Sequence, residues 1–184
     1  MEQDLLRDTD THMAKSLDAL RTNLGTIRTG RANPSIIEHL TVEYYGAPTP
    51  LQGIASISAP DSRQLLVQPY DRTAVGSIEK ALRQSDLGLN PTNDGNAIRI
   101  VIPQLTEERR RDLVKLVHKR VEEAKVAIRN VRRYSNDQLR QMKKDKDISE
   151  DEEKRAADQL QKVTDRAIHE ADSIGQAKEA EMLE

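Results

Sequence analysis

The chain has 184 residues, of which 33% are charged and 2% aromatic, and its formal net charge is −2. Such a composition is typical of disordered chains, but the small net charge does not drive the chain open, and the apolar residues are strongly periodic. The lack of cysteine excludes disulfides, thiol nucleophiles and cysteine zinc sites. With no basic leader and no apolar run long enough to cross a membrane, we expect a cytoplasmic protein without membrane contact.

The first segment has the spacing of one helix face. Apolar residues recur in steps of four and three from Met13 through Leu17 and onward to Ile27. Gly25 lies within this run and costs about 1 kcal/mol relative to alanine in a helix interior. We therefore expect the burial of this face to hold the first helix together.

The prolines divide the chain. All of them lie in one central window: Pro34, Pro48, Pro50, Pro60, Pro69, Pro91 and Pro103. Because proline interrupts helix hydrogen bonding, only the flanks can form long helices. The composition predicts a discontinuous helical domain, residues 1–30 and 105–184, and an inserted domain, residues 31–104, called the insert below.

The insert has the two-residue period of strands. The predicted elements are strands near residues 40–45, 55–59, 65–67 and 98–102, a turn at Gly46-Ala47-Pro48, and a short helix that Asp71 can cap. Asn93-Asp94-Gly95 is a hairpin-type turn before the last strand. These signals predict a small α+β (β/α/β) domain.

The C-terminal part contains two long amphipathic helices. Residues 107–145 carry an apolar row from Leu113 to Met142, and a helix of this length spans about 55–60 Å. Ser149-Glu150-Asp151-Glu152 is a capping box that begins the last helix. Its predicted apolar row is Ala156, Leu160, Val163, Ala167, Ala171, Ile174 and Ala177.

Three apolar faces can bury one another, so the sequence predicts an α+β protein made of an elongated three-helix bundle and the insert. Two short connections join the parts, one around Gly30 and Arg31 and the other around Gln104 and Leu105. We interpret these four residues as a hinge. A rigidly docked insert is the alternative.

Charge is segregated along the bundle. Residues 109–144 hold thirteen Lys or Arg and four Asp or Glu, a net charge of +9, whereas residues 149–184 have a net charge of −6. On a helical wheel many of the bases fall within an arc of about 140°. This basic stripe comprises Arg110, Arg111, Lys115, Lys125, Arg129, Arg132, Arg133, Arg140 and Lys143. It suits a phosphate backbone, although ion pairs to the acidic last helix would explain it equally well.

Motifs of catalysis are missing from the sequence. The glycines do not form a phosphate-binding loop, and the four histidines do not have metal-ligand spacing. The carboxylates at residues 107–108 and 150–153 start helices, where they complement the helix dipole. We expect no enzymatic activity, no cofactor and no metal site.

Five strings resemble the signature blocks of the ribosome recycling factor family. In order they are Arg28-Thr29-Gly30-Arg31-Ala32, Val42-Glu43-Tyr44-Tyr45-Gly46, residues 85–91 (SDLGLNP), residues 105–110 (LTEERR) and residues 127–133 (AIRNVRR). The similarity extends from about residue 2 to the C-terminus. One departure follows Arg133, where the family usually has an acidic residue and alanine and this chain has Tyr134-Ser135.

The resemblance implies an L-shaped, tRNA-sized protein that enters the intersubunit space after termination. It implies contact with large-subunit ribosomal RNA near the intersubunit bridges, and subunit splitting with the GTPase elongation factor G. It assigns RNA binding to Arg110, Arg129 and Arg132, with Arg28 and Arg31 as weaker candidates. We expect a monomer; the competing hypothesis is a helical adaptor that oligomerises or grips a protein partner.

Overall fold

The structure, a computed structural model, describes residues 1–183. Its helices and strands are α1 Glu2–Gly25, β1 Thr41–Tyr44, β2 Ala47–Pro50, β3 Ala55–Asp61, β4 Gln64–Pro69, α2 Val75–Gln84, β5 Pro91–Asn93, β6 Ile98–Val101, α3 Glu107–Lys144 and α4 Glu150–Leu183. The predicted mixture of long helices and a small α+β part is confirmed. Two compact units result: residues 1–24 with 113–180, and residues 25–112 with the last residues of α4.

The first unit is a bundle of α1, α3 and α4. Apolar side chains meet at one end of it, where Leu139, Ile148 and Leu160 are buried and Leu5 packs against them. The hydroxyls of Thr9 and Ser135 are also buried and lie 2.6 Å apart, joining α1 to α3. Ser135 belongs to the predicted apolar row of α3, and its hydroxyl is satisfied by this bond.

The long helix α3 ends in a well-defined cap. Lys146 has φ 63°, and its amide and that of Asp147 donate to the carbonyls of Lys143 and Met142 at 3.0 and 2.9 Å. This is a Schellman motif with lysine in the position where glycine is usual. The predicted start of α4 is confirmed, because the Glu152 amide donates to Ser149 Oγ at 3.1 Å.

Helix α1 is shorter than the sequence predicted. It ends at Gly25, whose carbonyl accepts a hydrogen bond from Ser35 Oγ at 3.0 Å. Ile27 is buried but lies beyond the helix. Gly25 therefore ends α1, and the predicted cost of a glycine in a helix interior does not apply.

The buried row of α4 also differs from the prediction. Ala177 is exposed, and Val163 and Ile174 are only half-buried. The residues buried in their place are Thr164, Gly175 and Lys178. The predicted row had a mean spacing of about 3.5 residues, and a straight helix drifts by about 20° per heptad from that repeat.

The insert contains two antiparallel sheets with one helix. The larger sheet has the strand order β3-β4-β6-β5, and the smaller sheet pairs β1 with β2. Val67 lies opposite Ile98 and Leu65 opposite Ile100, and all four side chains are fully buried. Helix α2 packs over β1 and β5 and completes the core of the insert.

Two strands of the insert were not predicted. Strand β2 contains Pro48 and Pro50, and β5 begins with Pro91. Proline is tolerated here because each of these strands pairs on one side only. The prediction of the first turn at Gly46-Ala47-Pro48 was also wrong, because proline argued against a strand there. The turn consists of Tyr45 and Gly46, since Tyr44 already pairs with Ala47.

Tyr45 and Gly46 both have positive φ, 51° and 77°. This is a two-residue turn of the type that favours Asn-Gly, because its first central residue adopts the left-handed conformation. A residue with a Cβ atom pays about 1–2 kcal/mol for that conformation. The hairpin therefore carries backbone strain at Tyr45.

The Asp71 carboxylate accepts four hydrogen bonds just before α2. Its Oδ1 accepts from the Thr73 amide at 2.9 Å and the Thr73 hydroxyl at 2.8 Å, and its Oδ2 accepts from the hydroxyls of Tyr44 and Tyr45. These bonds, led by those from Thr73, lower the pKa of Asp71 to about 2. The predicted capping role of Asp71 is confirmed, although a short 3-10 turn, Arg72–Ala74, precedes α2.

We expect Gly175→Ala to destabilise the bundle. An added Cβ would lie 2.6 Å from Val121 Cγ2, and the stiff valine cannot rotate away without a shift of the helices. The clash outweighs the gain in helix propensity, and we expect the free energy of unfolding to fall by about 1–2 kcal/mol. Urea denaturation followed by circular dichroism measures it.

Gly76→Ala is the matched control. Gly76 lies in α2 with open space around the position of an added Cβ. That variant should gain about 0.5–1 kcal/mol. Equal effects of the two variants would contradict the close approach of α4 to α3.

We expect the Asp71 carboxyl to titrate near pH 2 in the folded protein. Since this pKa lies below the ordinary value of 3.8, the ionised carboxylate contributes stability above about pH 4, and that contribution is lost as the pH falls towards 2. Carboxyl-detected NMR titration measures the pKa. Thr73→Val should raise it, whereas Thr92→Val in β5 should leave it unchanged.

Candidate nucleic-acid interface

Helix α3 separates apolar from basic side chains along 38 residues, about 57 Å. The apolar residues of its inward face are buried, including Leu113, Val117, Ile128 and Leu139, whereas Val126 is exposed. Its first turn carries Glu107 and Glu108, which complement the helix dipole. The apolar row fixes the rotation of α3, and so decides which basic residues face outward.

Arg129 is the clearest free cation of α3. Its side chain is exposed, and within residues 1–183 it makes neither an ion pair nor a hydrogen bond. Arg133 is likewise exposed and unpaired in the described part of the chain. Both guanidinium groups therefore keep an uncompensated charge.

Arg132 is held in place by a neutral partner. Its Nη1 donates to Gln161 Oε1 at 2.9 Å, and Gln161 Nε2 donates onward to Asp165 Oδ1 at 2.8 Å. The Nε atom is buried without a hydrogen-bond partner among the described residues. Because the amide orients the guanidinium without neutralising it, Arg132 retains its positive charge in a restricted position.

Arg110 lies near the start of α3, in the second unit. It is half-buried, and its Nε has no hydrogen-bond partner in the described structure. Within this unit it lines a cavity of about 350 Å³. The same cavity is lined by all four residues predicted as a hinge: Gly30, Arg31, Gln104 and Leu105.

Gly30 is the one predicted hinge residue with a special backbone conformation, φ 83°. An added Cβ would lie 3.5 Å from both the amide nitrogen and the Cγ of Leu105, so the two connections of the insert run side by side. Glycine is favoured here because other residues rarely adopt this φ.

Several bases of the stripe are compensated. Lys125 is only 14% exposed; its Nζ lies 2.6 Å from Asp172 Oδ1 on α4 and 3.5 Å from Glu122 Oε1. The hydrogen bond to Asp172 raises the pKa of Lys125 despite its partial desolvation. Lys143 lies 4.0 Å from Glu150 of α4. Of the two explanations that the sequence left open, ion pairing to the acidic helix α4 therefore applies to these two lysines.

The stripe is therefore not a continuous row of free charges. Arg111 and Arg140 pair with carboxylates of α3 itself, Glu107 at 2.7 Å and Asp137 at 3.7 Å. These pairs are exposed and weakly held. The bases of α3 without an ion pair among residues 1–183 are Arg109, Arg110, Lys115, Lys119, Arg129, Arg132, Arg133 and Lys144.

Arg28 lies just before the insert and is hydrogen-bonded to it. Its Nη1 donates to the Leu87 carbonyl at 3.1 Å. Burial, with the charge of Arg109 nearby, lowers the pKa of Arg28 from its ordinary value. This contact ties the segment before the insert to the loop after α2.

Gln161 was missed by sequence reasoning. It lies 29 residues from Arg132, on a different helix, and a polar residue on an exposed helix face carries no signal of its own. Only the packing of α3 on α4 brings the two side chains together.

Residues 1–183 contain no cluster of three or more potential metal ligands. In the same residues, no helix combines the length and apolar character needed to span a bilayer.

The architecture defines a class of protein: a helical bundle with one strongly basic helix, joined to a small α+β insert. The sequence model of the family described as ribosome recycling factor matches residues 20–183. The ribosome-recycling factor of Syntrophomonas wolfei is 54% identical over 184 residues, covering all of both chains.

Solved structures of ribosome recycling factors have the same fold as this chain. A solution structure of the ribosome recycling factor superposes with a TM-score of 0.77 at 42% identity, covering 99% of this chain and 97% of that one. The T. thermophilus factor, described with E. coli elongation factor G on the E. coli post-termination complex, gives a TM-score of 0.70 at 52% identity, covering both chains completely. This chain belongs to the ribosome recycling factor family, whose members are non-enzymatic translation factors.

We expect Arg129→Ala to leave stability unchanged and Lys125→Ala to lower it. Arg129 has no partner to lose, whereas Lys125→Ala leaves Asp172 without its nearest cation. The loss for Lys125→Ala should be about 1 kcal/mol. Thermal denaturation of the two variants beside the wild type tests this, and equal melting temperatures would contradict the pairing of Lys125 with α4.

Proposed function

We propose that this protein binds large-subunit ribosomal RNA in the intersubunit space and, with elongation factor G and GTP, splits post-termination ribosomes into subunits. One observation carries the RNA-binding part: the arginines of α3 that match the family's RNA-binding motifs are free of carboxylate partners. Arg129 is exposed and unpaired, and Arg132 is held by neutral Gln161.

On this proposal, binding is driven by the release of counterions from RNA. Each arginine that replaces a condensed cation at a phosphate contributes, and the guanidinium fork suits phosphate oxygens. A cation already paired within the protein, such as Lys125, contributes little. RNA contact through Arg110, Arg129 and Arg132 recognises the backbone and not the sequence.

The proposal also assigns a hinge to Gly30, Arg31, Gln104 and Leu105, between a bundle of residues 1–30 and 105–184 and an insert of residues 31–104. Two short adjacent connections and a glycine with positive φ support it. Elongation factor G would act on the insert and hydrolyse the GTP. We further propose that the protein is a cytoplasmic monomer.

The function is tested by light scattering of post-termination ribosomes. The wild-type protein with elongation factor G and GTP should lower the scattering as subunits separate, and omission of either factor should abolish the change. An unchanged signal with all components present would refute the proposed function.

The RNA contacts are tested by ribosome pelleting. We expect Arg129→Ala and Arg132→Ala each to weaken ribosome binding about tenfold, the loss of one charged hydrogen bond. The slope of log affinity against log salt should become shallower by about 1.

Lys125→Ala is the matched control for binding. It removes a positive charge from the same helix, but one already paired with Asp172. Its affinity and salt slope should equal those of the wild type. If Lys125→Ala weakened binding as much as Arg129→Ala, the effect would be one of overall charge, and the assignment to individual arginines would be wrong.

A further inference from the structure

The bundle contains an open groove between α1 and α3. Residues from Met1 to His12 line one side of it, and residues from Asn130 to Met142 line the other. At the rise of a helix these segments are about 18 Å long. The groove has a volume of about 730 Å³, within the range of roughly 300–1,000 Å³ that is usual for small-molecule sites. It is therefore large enough to hold an organic ligand.

Most of the groove's lining is apolar. Leu5, Val131 and Met142 are half-buried in it, and Tyr134 stands at its edge with 66% of its surface exposed. The Tyr134 side chain makes no hydrogen bond within residues 1–183. Core packing does not explain this tyrosine, whereas an exposed ring beside an apolar groove can pack against an apolar or aromatic ligand.

The charged side chains of the groove are acidic. Asp4 and Asp8 line it one helical turn apart on α1. Asp4 lies 3.8 Å from Arg7 in an exposed, weak pair, but the Asp8 carboxylate has no ion pair within the described residues. His12 Nδ1 donates to the main-chain carbonyl of Asp8 at 2.7 Å and leaves that carboxylate unpaired. No described lysine or arginine side chain lines the groove, so the groove attracts cations.

The floor of the groove also favours hydrogen-bond donors. The Thr9 hydroxyl donates to the Leu5 carbonyl at 2.8 Å, so across the 2.6 Å contact the Ser135 hydroxyl donates to Thr9. Both hydroxyl protons are used, and the two oxygens can only accept from a third group. The aspartates are acceptors as well, while the amides of Asn130 and Gln138 can donate or accept. The ligand that matches this lining carries N–H donors.

The groove is separate from the basic stripe. On the helical wheel Asn130, Tyr134 and Gln138 lie roughly 60–140° past Arg133, the edge of the stripe. About a dozen residues line the groove, fewer than the roughly 20–30 on each side of a stable protein interface. The size of the groove therefore suits a small molecule better than a protein, and its acidic rim does not suit RNA.

We propose that the groove between α1 and α3 binds a small organic cation, an amine with an apolar or aromatic body. The body packs on Leu5, Val131 and the ring of Tyr134, and the ammonium group lies at the Asp8 carboxylate. An ammonium group is also attracted to the face of an exposed aromatic ring. This binding site is additional to the RNA contacts and does not depend on them.

Two fluorescent probes test the site on the isolated full-length protein. Dansylcadaverine joins an aromatic dansyl group to a primary ammonium through a pentyl chain, and dansylamide has the same aromatic group without the ammonium. Dansylcadaverine should bind saturably, with its emission shifted to shorter wavelength, and with a Kd on the order of 10–100 µM. Dansylamide should bind about tenfold more weakly, because it lacks the charged hydrogen bond.

Three substitutions assign the binding to the groove. Asp8→Asn keeps the shape of the side chain and should weaken dansylcadaverine about tenfold while leaving dansylamide unchanged. Tyr134→Ala should weaken both probes by about threefold to tenfold. Asp10→Asn is the matched control, because Asp10 is an exposed aspartate of the same helix that faces α4 instead. All three side chains are exposed, so the melting temperatures should equal that of the wild type.

The opposite results would overturn the proposal. Dansylcadaverine that does not saturate up to about 1 mM, or that binds no better than dansylamide, would show that the groove does not recognise an organic cation. An equal loss in Asp8→Asn and Asp10→Asn would reduce the effect to overall charge. A lysine–leucine peptide that bound more tightly than dansylcadaverine would assign the groove to a basic protein segment. A dimer in sedimentation that Tyr134→Ala dissociates would assign it to a second copy of the chain.

Discussion

The burial of one face of α3 against α1 and α4 is the constraint on which the candidate interface depends. Once Leu113, Ile128 and Leu139 point inward, the rotation of the helix is fixed over its whole length, and each arginine acquires its direction. The close approach of Gly175 to Val121 strengthens this constraint, because a helix surface without a side chain lets α4 lie against the valine. A stiff helix with a fixed rotation can hold charges in register with a regular polyanion.

The same packing decides which charges remain available. Lys125 forms a short ion pair with Asp172 of α4, so its charge is neutralised within the bundle. Arg132 instead contacts the side-chain amide of Gln161 on α4. A glutamate at position 161 would neutralise Arg132; glutamine orients it instead. The buried pair of Thr9 and Ser135 also explains how a serine fits into the apolar row of α3, since its hydroxyl finds a partner on α1.

The insert was predicted less completely than the bundle. Alternation and turn residues gave the strands around Val42, Leu65 and Ile98, and Asp71 was recognised as a cap. Strand β2 was missed because proline argues against a strand, yet Pro48 sits on a strand paired on one side only. Proline is tolerated in a strand only where the strand has a neighbour on one side, and the sequence does not show which strands lie side by side.

The sequence by itself determined the element types, the long helices and their charge segregation, because periodicity, proline placement and capping are local and leave a direct trace in residue order. It did not determine which bases stay free, the true buried row of α4, or the meeting of two tyrosines with one carboxylate. Gln161 and Arg132 are far apart in the chain, as are Tyr45 and Asp71. Only packing brings such side chains within hydrogen-bonding distance, so the tertiary structure decided which arginines remain without a carboxylate partner and which tyrosines share the Asp71 carboxylate.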